Sequence, residues 1–109
     1  MVKQEVFIEM ASSFPDVTVE PHFENTAFKI KKKIFATINP KANRICIKLN
    51  AIDQDAFSAF DNTIIYAVPN KWGKMGWTNI ELSKVKKSVL TDALKTAYNE
   101  VLKGKKKGV

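Results

Sequence analysis

The amino-acid sequence predicts an α+β domain, with helices packed against an antiparallel β-sheet. Three observations lead there. Several short runs alternate apolar and polar residues, the period of a half-buried strand. Three other segments repeat apolar residues at helical spacing. The strand runs are grouped, in the order α-β-β-β-β-α-β-β-α, rather than alternating one by one with helices, which argues against a parallel α/β sheet. With 109 residues, 45% of them hydrophobic, the chain is expected to form one domain over residues 1–104. A core of that size needs no covalent staple.

Residues 3–11 are expected to be helical, with Val6, Phe7 and Met10 on one stripe and Val2 and Ala11 nearby. Ser12-Ser13-Phe14-Pro15-Asp16 ends the helix, because proline disfavours helical backbone at the residue before it. From Val17 to Glu24 the chain reads as extended. Pro21 places that run at a sheet edge or a bend, since it has no N–H for a ladder. His22 to Thr26 is turn-like. Ala27-Phe28-Lys29-Ile30 is a short strand with Phe28 and Ile30 inward, and Lys31-Lys32 is a hairpin tip. The return strand, Lys33 to Ile38, puts Ile34, Ala36 and Ile38 on one face and Phe35 and Thr37 on the other. A turn at Asn39-Pro40-Lys41-Ala42-Asn43 leads to Arg44–Leu49, where Ile45, Ile47 and Leu49 alternate with Arg44, Cys46 and Lys48. These three strands form an antiparallel meander.

Asn50 or Asp53 is expected to cap a helix reaching Phe60, with Ile52, Ala56, Phe57 and Phe60 as its apolar stripe. The β-branched run Thr63–Val68 is a strand, closed by Pro69-Asn70. Lys71-Trp72-Gly73-Lys74-Met75-Gly76 is a basic, aromatic loop with two glycines. It runs into a strand, Trp77–Leu82, with Thr78, Ile80 and Leu82 on one face and Trp77, Asn79 and Glu81 on the other. A last helix covers about Ser88 to Lys103, its stripe being Leu90, Ala93, Leu94, Ala97, Tyr98, Val101 and Leu102. Asp92 in its first turns and Lys103 in its last suit the helix dipole, and Gly104 suits a C-cap. Residues 105–109 read as a basic, disordered tail.

Several function classes are excluded at this level. One cysteine, Cys46, cannot form an intramolecular disulfide or a cysteine-pair zinc site, and one histidine, His22, cannot make a histidine-rich metal centre. No apolar run spans a bilayer and the first residues do not resemble a secretion signal, so the expected location is the reducing cytoplasm. Asp53, Asp55 and Asp61 lack the glycine and terminal glutamate of a calcium loop. No glycine motif cradles phosphate. No cofactor is expected.

The net charge of +7 is unevenly distributed. Residues 1–24 carry −4, residues 25–52 carry +7, residues 53–70 carry −3 and residues 71–109 carry +7. Such blocks can gather a basic face on a small domain and favour polyanions. Seventeen of the eighteen basic residues are lysine. Lysine meets phosphate as a point charge, whereas arginine reads bases through its planar fork. Nucleic acid bound here would be held by its backbone with little sequence preference.

The chain resembles the MmcQ/YjbR family of small bacterial proteins. The resemblance is carried by His22-Phe23 through Ala27-Phe28-Lys29-Ile30, by Lys33-Ile34-Phe35-Ala36, by Arg44–Leu49, and by Gly76-Trp77 leading into Ile80-Glu81-Leu82 and the helix with Ala97-Tyr98. It implies an α+β fold related to type III secretion chaperones, and DNA binding through a proposed double wing of β-hairpins. The opening helix is short for the family, and the lysine tail is not a family feature.

The candidate nucleic-acid-binding residues are Lys29, Lys31, Lys32 and Lys33 around one hairpin, with Lys71, Trp72 and Lys74 in the glycine loop. Solvated charge is the alternative for the lysines. For Trp72, base stacking competes with the favoured role of covering the sheet edge as part of the core. Trp77 reads as structural. His22, between Glu20 and Glu24, is read as structural or surface, because no nucleophile is tied to it. Cys46 reads as a packed thiol on the sheet face opposite the core. The expected function is a non-enzymatic module that contacts DNA through phosphate. The alternative is a chaperone-like protein-binding adaptor using its sheet face or edge.

Overall fold

The computed structural model describes residues 1–104, so the expected tail at 105–109 lies outside the described residues. α1 (Gln4–Ser12) stops at Ser13. A positive φ of 64° at Asp16 then turns the chain into β1 (Val17–His22). β2 (Asn25–Ile30), β3 (Lys33–Asn39) and β4 (Arg44–Lys48) follow, each antiparallel to the strand before it. The expected three-stranded meander therefore gains β1 as a fourth strand, and His22 pairs with Asn25 rather than lying in a turn. β1 is an edge strand, where Pro21 costs no ladder partner.

After β4 the chain leaves the sheet through α2 (Ala51–Ser58), whose first turn is capped by the Asn50 side chain accepting from the Asp53 N–H at 2.7 Å. It returns as β5 (Ile65–Ala67), makes a single helical turn, α3 (Lys71–Lys74), and enters β6 (Trp77–Glu81). β6 inserts between β4 and β5, giving the order β1-β2-β3-β4-β6-β5. α4 (Lys87–Gly104) then packs across β2, β3 and β4.

The core lies between one sheet face and the helices. Phe28, Ile30, Ala36, Ile38, Ile45, Ile47 and Ile80 meet Phe7 and Ala11 of α1 and Leu90, Ala93, Leu94, Ala97, Tyr98 and Val101 of α4, all buried. Phe7 meets Phe28 edge-on, with centroids 5.4 Å apart. Tyr98 stacks on Phe14 at 4.6 Å and donates its hydroxyl to the Pro15 carbonyl at 2.7 Å, tying α4 to the α1–β1 turn. Burying side chains of this size contributes about 1.5–3 kcal/mol each.

Five expectations need correction. The register between β2 and β3 shifts at Phe28/Lys29, so Phe28 faces Ala36 while Lys29 faces Ile34. The extra residue is Phe35. This bulge turns Phe35 into the core, fully buried, and leaves Ile34 half-buried on the other face. α2 ends at Ser58, short of Phe60, and Ile52 and Phe60 are 80% and 72% exposed, with Ala56 exposed too; the helix docks through Gln54 and Phe57 instead. β5 is shorter than expected, because Asp61 accepts from both the N–H and the hydroxyl of Thr63 and holds it in a turn. The loop after Pro69 contains α3, started by Asn70, whose side chain accepts from the Trp72 N–H at 2.8 Å. Asp92, finally, falls in the second turn of α4, beyond the first-turn N–H groups.

Candidate nucleic-acid interface

Lys31 and Lys32 form the two-residue turn between β2 and β3, with φ of 52° and 71°. Positive φ at both central positions is the type I′ geometry, which suits Asn-Gly and matches the twist of a hairpin. Side chains in this region cost about 1–3 kcal/mol each, and such outliers gather at functional sites. Lys31, Lys32 and Lys33 are all exposed at the tip. Lys29 is half-buried on the sheet face away from the core and pairs with Glu20 of β1 at 3.0 Å.

The bulge at Phe35 sets what lies at the root of this hairpin. It places Ile34 opposite Lys29, and the ladder continues to Lys48 of β4, which faces Trp77 of β6. Trp77 alternates with the buried Thr78, so it also lies on the face away from the core. Lys29, Lys32, Lys33, Ile34, Lys48 and Trp77 together line an open cavity of about 520 Å³ at the end of the sheet where β2 and β4 finish and β3 and β6 begin, completed by Met75 and, from the core side, by Glu100 and Val101 of α4. Among the described residues, Lys31, Lys32, Lys33 and Lys48 make no ion pair. Lys48 was not singled out by sequence. Its signal was available: it is the outward position of a clean alternating strand.

The cavity's far wall depends on two glycines. A Cβ on Gly76, whose φ is 106°, would lie 1.8 Å from the Leu49 carbonyl oxygen, and one on Gly73 would lie 2.0 Å from that of Val68. The Leu49 N–H donates to the Gly76 carbonyl at 2.9 Å. Side-chain hydrogen bonds from Gln54 reach the same segment.

The seven candidate residues are thus divided. Lys29, Lys32 and Lys33 share the cavity with Lys48. Lys71 and Lys74 line a second hollow with Val68 and Asn70. Lys31 and Trp72 line neither. Trp72 is 49% exposed, with the Lys71 ammonium 5.9 Å from its ring centroid, so it does not seal the sheet edge as core. Only Met75, next after α3, brings that segment to the hairpin cavity.

The outward sheet face also carries a polar cluster that sequence reading missed. Glu81 accepts from Arg44 Nε at 2.8 Å and from the Tyr66 hydroxyl. Burial opposes the Glu81 charge, but those two hydrogen bonds outweigh it and hold its carboxyl below the usual range. Burial likewise pushes the Tyr66 hydroxyl up, assisted by Glu81. These groups satisfy one another on adjacent strands. Cys46, half-buried, has its thiol pushed up to about 11 by burial, the opposite of a reactive thiolate. His22 pairs with Asn25, and its ring meets Phe23 at 4.9 Å. No group of three His, Cys, Asp or Glu among the described residues is placed to hold a metal ion. No helix among them is long and apolar enough to cross a membrane.

The YjbR family model matches residues 12–100. The crystal structure of Deinococcus radiodurans protein DR2400, which carries the DUF419 domain, superposes with a TM-score of 0.82 at 19% identity, covering all of this chain and 83% of that one. No curated protein matches.

Proposed function

Because the chain belongs to the YjbR family, we propose that it is a small non-enzymatic module that binds nucleic acid through phosphate contacts from its β2–β3 hairpin. One observation carries this reading: Lys32, Lys33 and Lys48 converge with Lys29 on one cavity, and the first three have no ion-pair partner among the described residues. Uncompensated cations held close together repel one another, and a polyanion relieves that repulsion while releasing its own counterions. The exposed Lys31 extends the cationic ridge, and the left-handed backbone at Lys31 and Lys32 gives the tip one defined shape. Lysine without arginine in this set points to backbone contact rather than base readout.

Anisotropy of a labelled DNA duplex at low salt tests the reading. The intact protein binds, and charge reversal at Lys32 and Lys33 weakens binding about tenfold or more, whereas reversal at Lys84 and Lys86, outside this cavity, has little effect. Equal losses from both pairs would leave only nonspecific net charge.

A second reading has its own observation. Val19 is 47% exposed on the edge strand and Phe23, at the adjoining turn, is 94% exposed. An edge strand with exposed apolar residues suits strand addition by a protein partner. A Val19→Lys, Phe23→Ser variant separates the two: it leaves DNA affinity intact and abolishes any protein association.

A further inference from the structure

We infer that the cavity at the hairpin root is a subsite for one unpaired nucleotide of a single strand, with its base stacked on Trp77 and its phosphates held by the surrounding lysines. This rests on the nucleic-acid reading above and names its substrate class. Phosphate binding alone needs only a charged ridge, and this site has more. Trp77 stands on the outward sheet face beside Lys48, with Ile34 and Met75 also lining the cavity. Aromatic and aliphatic groups sharing a cavity with lysine side chains match a flat, apolar base carrying an anionic backbone. A volume of about 520 Å³ lies within the usual range for small-ligand sites, about 300–1,000 Å³.

The chemistry selects single strands. In a duplex both faces of each base are covered by neighbours, so a ring set in a cavity reaches no base face without flipping a nucleotide out. In a single strand the faces are free, and stacking on an aromatic side chain is tolerant of sequence. The lysines fit the same picture, since they track a flexible phosphate chain without demanding a fixed groove. Glu100, the acidic member of the lining, repels phosphate and favours a backbone path along Lys32, Lys33 and Lys48.

The test uses the whole protein with two probes, a short oligothymidylate and a duplex of equal length, at the same low salt. In a Trp72→Phe background, Trp77 is the sole tryptophan, and oligothymidylate quenches its fluorescence while the duplex does not. Trp77→Ala lowers oligothymidylate affinity about tenfold and duplex affinity less than about twofold, and Trp77→Phe restores most of the loss. Unchanged fluorescence with bound oligothymidylate overturns the subsite, as does an equal loss for both probes. If Trp77→Ala does not fold, the quenching experiment decides alone. Salt-sensitive duplex binding without single-strand preference overturns the subsite and leaves the parent reading standing. Failure to bind either probe overturns both.

Discussion

The side-chain amide nitrogen of Gln54 lies 3.0 Å from the hydroxyl oxygen of Thr78. Thr78 is completely buried, and its hydroxyl donates onward to the Gly76 carbonyl at 3.0 Å. The same amide lies 3.0 Å from the Gly73 carbonyl oxygen and 3.2 Å from that of Trp77. One side chain from α2 thus fastens the segment that carries Met75 and Trp77 to the cavity. Gln54→Leu leaves the buried Thr78 hydroxyl oxygen without a donor, while the Gly73 and Trp77 carbonyls keep the Gly76 and Val68 N–H groups, and is expected to destabilise the fold by about 1–3 kcal/mol, read as a lower midpoint in urea unfolding.

Gly76 is the stricter requirement. A side chain there meets both a positive φ and the Leu49 carbonyl. Gly76→Ala is expected to cost about 3 kcal/mol and to weaken DNA binding only as far as it unfolds the protein. A midpoint matching that of the parent chain would contradict the close approach of β4 and β6 at this point.

The β2–β3 tip sets stability against binding. Replacing Lys31-Lys32 by Asn-Gly keeps the type I′ turn while removing its strain, so the variant is expected to gain about 1 kcal/mol. It also loses two cations from the ridge. Higher thermal stability together with weaker DNA binding is the expected pair of results. A loss of stability would contradict the left-handed assignment at these lysines.

Two titrating groups give pH expectations. Glu81 has a folded pKa below its ordinary value of 4.5. Its contribution to stability is therefore complete above that value and is lost as pH falls through the lower folded value. Glu81→Gln flattens the acid limb of the stability profile between those two points. Cys46, pushed up to about 11 by burial, stays a thiol at pH 8. It reacts slowly with a disulfide reagent in the folded protein and rapidly in denaturant.

Much of the fold was legible because its signals are local. The α4 stripe from Leu90 to Val101 and the alternation of Ile45, Ile47, Thr78 and Ile80 record which face is buried, residue by residue. Phe35 was misplaced because a bulge breaks the two-residue period, and a bulge is a relationship between strands rather than a property of one. The α2 stripe misled for a related reason: Ile52 and Phe60 have helical spacing, yet the helix is oriented by the Gln54 hydrogen bonds and by Phe57. Of the site, the hairpin tip was visible as a lysine cluster between two strands. Lys48 and Trp77 were visible only as outward positions, since their meeting with Lys29 and Ile34 depends on sheet order. Insertion of β6 between β4 and β5 brings them together, and no local pattern encodes that choice.

Whether these lysines hold nucleic acid through its phosphates is tested most directly by the salt dependence of affinity. Duplex affinity plotted against salt concentration on logarithmic axes is expected to fall with a slope of about −3 to −4, close to one counterion for each of Lys31, Lys32, Lys33 and Lys48. Neutralising Lys32 or Lys48 is expected to reduce the slope by about one. A flat plot, or a slope unmoved by either substitution, would contradict the account.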